Sequence, residues 1–209
     1  MTGPAVFDRT YFHGRASNYL LGYDRLAPRL WWRGRLRLVR QLVPPGSRLV
    51  DLGCAFGYFL KWVEEEYEAY GVDISDYAIM RARRVVRAAD RVRCADVERA
   101  IPWPAPVDLI TAFDLLEHLH DPASALAHCA RTLRPSGYLL LEFPTGAPWL
   151  DRDATHHYQP LSDWMTLLRG AGFEVEQVRR FWTIGWRAVL VPSRRWTNYV
   201  RIVARRAAS

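Results

Sequence analysis

VDLGCAFGYFL, residues 50–60, reads as a buried strand that runs into a glycine-containing turn and then a helix. An acid, Asp51, stands where the apolar run stops, and Gly57 follows Gly53 four residues later. Glycines let a backbone approach a ligand closely and adopt conformations other residues avoid. A pair of glycines in one such turn also serves ordinary packing, so the meaning of this turn depends on the rest of the chain.

Outward from that stretch the pattern alternates between strand and helix. RLVDL is followed by helical GYFLKWVEEEYE, strand-like AYGVDI, helical DYAIMRARRVVRAA, and then the strand candidates RVRCADV and VDLITAFDLL. DPASALAHCARTL reads as a helix with Asp121 as N-cap and Pro122 at its first position. GYLLLEFP reads as an apolar central parallel strand, LSDWMTLLRGAGF as an amphipathic helix, FEVEQVRRF as an edge or half-exposed strand, and NYVRIVARR as a final strand. This order predicts an α/β fold: a doubly wound, mostly parallel, seven-stranded sheet with helices on both faces. Ligands are then expected beyond the carboxyl ends of the strands. The first 45 residues read as a helical, aromatic segment closed by PPGS (44–47), and residues 46–209 as the main domain.

The 209 residues, 50% of them hydrophobic, suffice for one substantial core. No run approaches the roughly 18 to 20 apolar residues of a membrane span, and the opening residues lack a secretory pattern. Cys54, Cys94 and Cys129 are odd in number and widely spread. They point to a reducing, cytoplasmic setting, with neither a disulfide framework nor a metal expected. The net charge of +7 invites a nucleic-acid partner. Its arginines, however, are scattered over many elements, as solvated helix faces and strand ends would scatter them.

The turn gains meaning from the ends of the neighbouring strands. Asp73 follows the second strand, Asp96 the third, and FDLLEHLHDP, with Asp114, Glu117 and His118, the fourth. Four acids at four successive strand ends suit a ligand with ribose hydroxyls and a positive centre. They disfavour a pyrophosphate, which wants backbone amides and no carboxylate in front. The spacing G-x-x-x-G also differs from the G-x-G-x-x-G of dinucleotide turns.

These motifs resemble those of class I S-adenosylmethionine-dependent methyltransferases of the small-molecule type, over about residues 48 to 206. VDLGCAFGYFL resembles the family's D-x-G-x-G-x-G turn, with Ala55 in place of the middle glycine. GVDIS, CADVE, FDLLEHLHDP and LRPSGYLLLEFP resemble its later motifs in order. The resemblance implies S-adenosyl-L-methionine as cofactor. It implies that Asp51, Gly53 and Gly57 line the methionine side and that the backbone at Cys54 and Ala55 touches the cofactor. Asp73 would take the ribose hydroxyls with Ile74 on the adenine. Asp96 would take the adenine amino group with Val97 beside the ring. Phe113 and Asp114 would close the site near the sulfonium. YFHGRASNYLLGY resembles the lid of small-molecule members, where Tyr11, Arg15 and Tyr19 would cover the cofactor; a helix packed on the sheet edge is the other reading of that segment.

A hydroxyl or amine acceptor calls for a general base, and histidine is the usual choice near neutral pH. His118 follows the fourth strand directly, while His156 and His157 lie on the loop after the fifth. These three are the catalytic candidates, although a structural role for each stands beside the catalytic one. The expected function is methyl transfer to O or N of a small molecule related to natural products, glycans or lipids. An RNA or other nucleic-acid methyltransferase and a non-catalytic cofactor-binding protein are the alternatives. Against the first, FDLLEH stands where adenine-amine methyltransferases carry an N/D-P-P-Y/F motif. A homodimer is left open.

Overall fold

The computed structural model describes residues 6–14, 23–26, 29–103, 105–146, 155–184, 189–192 and 197–208. Helices α1 (Arg9–Phe12), α2 (Tyr23–Leu26) and α3 (Arg29–Leu42) precede β1 (Arg48–Leu52). Then follow α4 (Tyr58–Val63), β2 (Glu68–Asp73), α5 (Asp76–Ala82), β3 (Val92–Cys94) and β4 (Val107–Phe113). The chain continues through α6 (Pro122–Thr132), β5 (Leu133–Pro144), α7 (Leu161–Gly170), β6 (Phe173–Ile184), β7 (Val189–Pro192) and β8 (Tyr199–Arg206).

The strands form one sheet in the order β3-β2-β1-β4-β5-β8-β6-β7. Pairings from β3 through β5 are parallel, and β8, β6 and β7 add antiparallel pairs. The doubly wound sheet is therefore as the alternation predicts, with one strand more than the seven expected. The addition is β7, four residues paired to the far side of β6, so β6 is not the edge. Its side chains are nonetheless mostly exposed, and Val178 and Trp182 face outward.

Each face of the sheet carries its own core. On one face α6 and α7 bury Leu126, Cys129, Trp164 and Leu168 against Val50, Ile110, Leu139 and Ile202. On the other, α3, α4 and α5 bury Trp32, Leu36, Val39, Phe59, Leu60 and Ile79 against Leu49, Leu109, Leu140 and Val203. Trp32, Leu36 and Val39 recur at helical spacing along α3 and Val43 continues the stripe just past its end, so this helix is a layer of the core. Asp121 caps α6 as expected, its carboxylate accepting from the Ser124 N–H.

Two helices are shorter than their sequence pattern. The α4 helix stops at Val63, because Tyr67 is buried in the core and leads into β2. The α5 helix stops at Ala82, and the basic RRVVR run lies beyond it. The apolar run of β5 contains one exception, Glu142, a carboxylate only 1% exposed at the centre of the sheet.

Candidate active site

The turn after β1 takes its shape from three left-handed residues spaced two apart: Gly53 (φ 70), Ala55 (φ 46) and Gly57 (φ 72). Left-handed backbone is nearly free for glycine and costs about 1 kcal/mol or more for other L-residues. Gly57 is doubly constrained, since a Cβ there would stand 3.0 Å from Val86 and 3.2 Å from Ala82. The N–H groups of Gly53 and Cys54 both donate to the Val72 carbonyl, which ties the turn to β2. The Cys54 side chain is buried, and burial pushes its thiol well up, so Cys54 offers the site only its backbone.

Asp73, at the end of β2, holds the same turn from the other side. Its Oδ2 accepts from the Ala55 N–H at 2.8 Å and its Oδ1 from the Ser75 N–H at 2.9 Å. A carboxylate has about four acceptor positions, so each oxygen keeps capacity for a hydroxyl. Burial pushes Asp73 up to about 6, against the pull of those two N–H groups. Burial likewise pushes Asp51 up to about 7, against the hydrogen bond from Thr111 and the charge of Arg35. Two buried acids with raised pKa values at adjacent strand ends form a site that gains from a positive ligand. The donor set therefore fits a cofactor with ribose hydroxyls and a cationic centre.

The other expected cofactor residues divide. Ile74 is half-buried beside Asp73. Asp96 caps its own turn, accepting from the Glu98 N–H at 2.9 Å, and its side chain remains about one-third exposed at the rim. Val97 turns into the core with Leu52 and Leu116. Phe113 turns toward α3, where its ring packs on Phe59 and lies 4.0 Å beneath the Arg35 guanidinium.

Residues 7–13 pack against the turn and α5. Tyr11 and Phe12 are buried with Ala55, Phe56 and Ala78. The Ser75 hydroxyl donates to the Phe7 carbonyl, and His13 Nε2 lies 3.1 Å from the Tyr77 hydroxyl. Tyr11 thus reaches the site; Arg15 and Tyr19 lie outside the described residues.

Past β4 the chain turns through Asp114, left-handed at φ 56, and a single helical turn, Leu116–His118. His118 Nδ1 lies 2.7 Å from Thr155 Oγ1 and His156 Nδ1 lies 2.7 Å from the Tyr158 hydroxyl. Their ring centroids are 4.7 Å apart, and Phe7 and Tyr11 stand edge-on to His118 at 5.5 and 6.4 Å. His157 goes elsewhere: its N–H donates to the Glu117 carbonyl at 2.6 Å, and its exposed ring lies against His120.

Asp114 also joins a buried ionic network absent from the sequence expectation. Arg35 Nε donates to Glu142 Oε2 at 2.8 Å, and Arg201 reaches Glu142 Oε1. The Tyr199 hydroxyl donates to Asp114 Oδ1 at 2.8 Å, while Arg35 approaches Asp114 Oδ2 at 3.6 Å. Burial pulls the Arg35 pKa down, but Glu142, with Tyr199 and Asp114, outweighs it and holds the guanidinium above its ordinary value. Two sequence signals could have exposed this network: an acid inside the apolar β5 run, and an arginine on the apolar stripe of α3.

A parallel-to-antiparallel sheet, a left-handed turn after β1 and acids at successive strand ends define the Rossmann-like fold of S-adenosylmethionine-dependent methyltransferases. A crystal structure of such an enzyme from Mesorhizobium loti has this fold, with a TM-score of 0.65 at 22% identity over 81% of this chain and 96% of that one. A methyltransferase-domain family profile matches residues 23–178, and the chain belongs to that family. It is an S-adenosylmethionine-dependent methyltransferase. Among curated relatives, a ubiquinone biosynthesis O-methyltransferase of Xanthomonas axonopodis is 26% identical over 90% of this chain and 95% of its own. One of the same name from Thiobacillus denitrificans is 31% identical over half of this chain and 48% of its own length.

Proposed function

We propose that this enzyme methylates an oxygen of a small-molecule acceptor held beyond the ends of β4 and β5. The observation that carries the proposal is the convergence of His118, on the turn that follows β4, with His156, on the segment before α7. The names of the relatives support oxygen as the acceptor atom.

S-Adenosylmethionine, when bound, supplies a methyl group on a positively charged sulfur. Asp73 takes the ribose hydroxyls, and Asp51 supplies negative charge on the methionine side with the backbone of Gly53, Cys54, Ala55 and Gly57. Ile74 and Asp96 border the adenine, and Asp114 borders the sulfonium. Tyr11 and its neighbours exclude water from above, which strengthens every electrostatic interaction inside the crevice. His118 and His156 meet the acceptor hydroxyl and one of the two imidazoles takes up its proton, each ring oriented by its own hydroxyl partner. His157, on the outer side of the loop, contributes through its backbone bond to Glu117.

Charge alone would favour a nucleic-acid acceptor, but Arg35, Arg40, Arg48, Arg81, Arg134 and Arg201 are paired with carboxylates. Among the described residues no helix is long and apolar enough to cross a membrane. The test is methyl transfer from labelled cofactor to matched panels of phenols, alcohols and amines. Label on oxygen is expected; label on nitrogen or RNA alone overturns the proposal. At saturating cofactor, His118→Ala and His156→Ala should each slow transfer by about 100-fold or more, and if neither does, the proton-accepting role is wrong.

A further inference from the structure

We propose that Glu117, His118 and His156 form a divalent-cation site on the acceptor side of the crevice. One ligand atom from each of the three lies within 4.8 Å of the others. Ligands on one ion at about 2.1 Å stand up to about 4.2 Å apart, so small side-chain rotations close the site. Two imidazoles and a carboxylate are the donor set of Zn²⁺, Mn²⁺, Fe²⁺ or Co²⁺, whereas Mg²⁺ and Ca²⁺ take oxygen ligands.

Two further observations suit the same use. Each imidazole is oriented through Nδ1, His118 on Thr155 Oγ1 and His156 on the Tyr158 hydroxyl. Metal-binding histidines characteristically carry such a partner on the far ring nitrogen; with Nδ1 as donor, the lone pair stands on Nε2. The two segments that supply the ligands are also stapled together by the hydrogen bond from the His157 N–H to the Glu117 carbonyl. Glu117 itself is fully buried, and the Phe7 and Tyr11 rings shield His118.

Ion binding stands on these three residues; its part in catalysis rests on the acceptor-side reading above. There the ion would hold the acceptor hydroxyl and stabilise the oxyanion left when its proton passes to solvent. The imidazoles then act as ligands, and remain proton acceptors in ion-free protein.

The full chain, stripped with EDTA and free of cofactor and acceptor, is titrated by calorimetry with Zn²⁺, Mn²⁺ and Mg²⁺. One equivalent of Zn²⁺ is expected, bound at least 100-fold more tightly than Mg²⁺. His156→Ala and the isosteric Glu117→Gln should each weaken Zn²⁺ by at least 30-fold, with unchanged circular dichroism. Should Glu117→Gln fail to fold, His156→Ala decides alone. The proposal is overturned if the native chain takes up no stoichiometric Zn²⁺ or Mn²⁺, or if His156→Ala binds as tightly as the native chain. It is equally overturned if uptake vanishes on replacing the exposed thiol in Cys94→Ser. Transfer to oxygen by a chain that binds no ion defeats the cation site alone. Stoichiometric uptake by a chain that methylates only nitrogen supports the site and defeats the function proposed above.

Discussion

The cofactor half and the acceptor half of the crevice are held together by different means. The turn between Asp51 and Gly57 is shaped by local backbone: three left-handed residues, two N–H groups on the Val72 carbonyl, and Asp73 buttressing Ala55. The acceptor half is assembled from distant segments. Asp114 follows β4, Glu142 lies in β5, Arg35 comes from α3, and Tyr199 and Arg201 come from β8. A local device survives small changes elsewhere in the chain. A network of buried charges depends on every member, because one uncompensated ion in the interior is far more costly than a lost contact.

The sharpest way to break this comparison is Glu142→Leu, which leaves Arg35 and Arg201 facing an apolar side chain. A loss of about 3 to 5 kcal/mol in stability is expected by denaturant unfolding. Arg35→Met combined with Glu142→Leu should recover part of it, because one buried charge leaves with Glu142 while Arg201 stays without its carboxylate. A single variant as stable as the native chain would show that the network is not what holds this half.

On the cofactor side, Asp73→Asn should weaken S-adenosylmethionine by about 100-fold, through loss of charge-assisted hydrogen bonds worth about 1.5 to 3 kcal/mol each. Asparagine is preferable to alanine, since it keeps an acceptor for one of the Ala55 and Ser75 N–H groups where alanine would orphan both. Unchanged affinity by calorimetry would remove the ribose role from Asp73.

A smaller effect follows from pH. Asp51 and Asp73 have folded pKa values of about 7 and about 6, above the ordinary value of 3.8. The native state therefore holds their protons more tightly than the unfolded chain. Their contribution to stability is largest below pH 4 and falls as pH rises through 6 and 7. A cationic ligand needs both groups ionised, so cofactor affinity should rise over the same window, by up to about tenfold per proton released. An affinity flat from pH 5.5 to 8 would contradict this. The smallest effect is expected at Ala55: Ala55→Gly relieves a left-handed alanine and should raise stability by about 0.5 to 1 kcal/mol at most, measured by thermal unfolding.

The same contrast explains what could be read from the chain. The turn at 51–57, the acids at the strand ends and the α/β alternation are local in sequence, so periodicity and spacing expose them. The direction of Phe113, which packs beneath Arg35, depends on α3 covering that face of the sheet. The meeting of His118 with His156, and the departure of His157 toward His120, depend on where residues 155–160 lie against residues 116–120. Spacing carries no such information. Glu142 and Arg35 interrupt apolar faces, a signal that the apolar reading of β5 passes over, and each makes sense only once the other is opposite it.

The position of β8 has a consequence for the order of assembly on the ribosome. This strand follows β6 and β7 in the chain, yet it lies between β5 and β6. The antiparallel wing therefore has nothing to pair with on the growing sheet until residues 199–206 have emerged. The parallel half, with its cofactor turn, can form first. Arrival of β8 then delivers Tyr199 and Arg201 to Asp114 and Glu142 in the same step that closes the sheet.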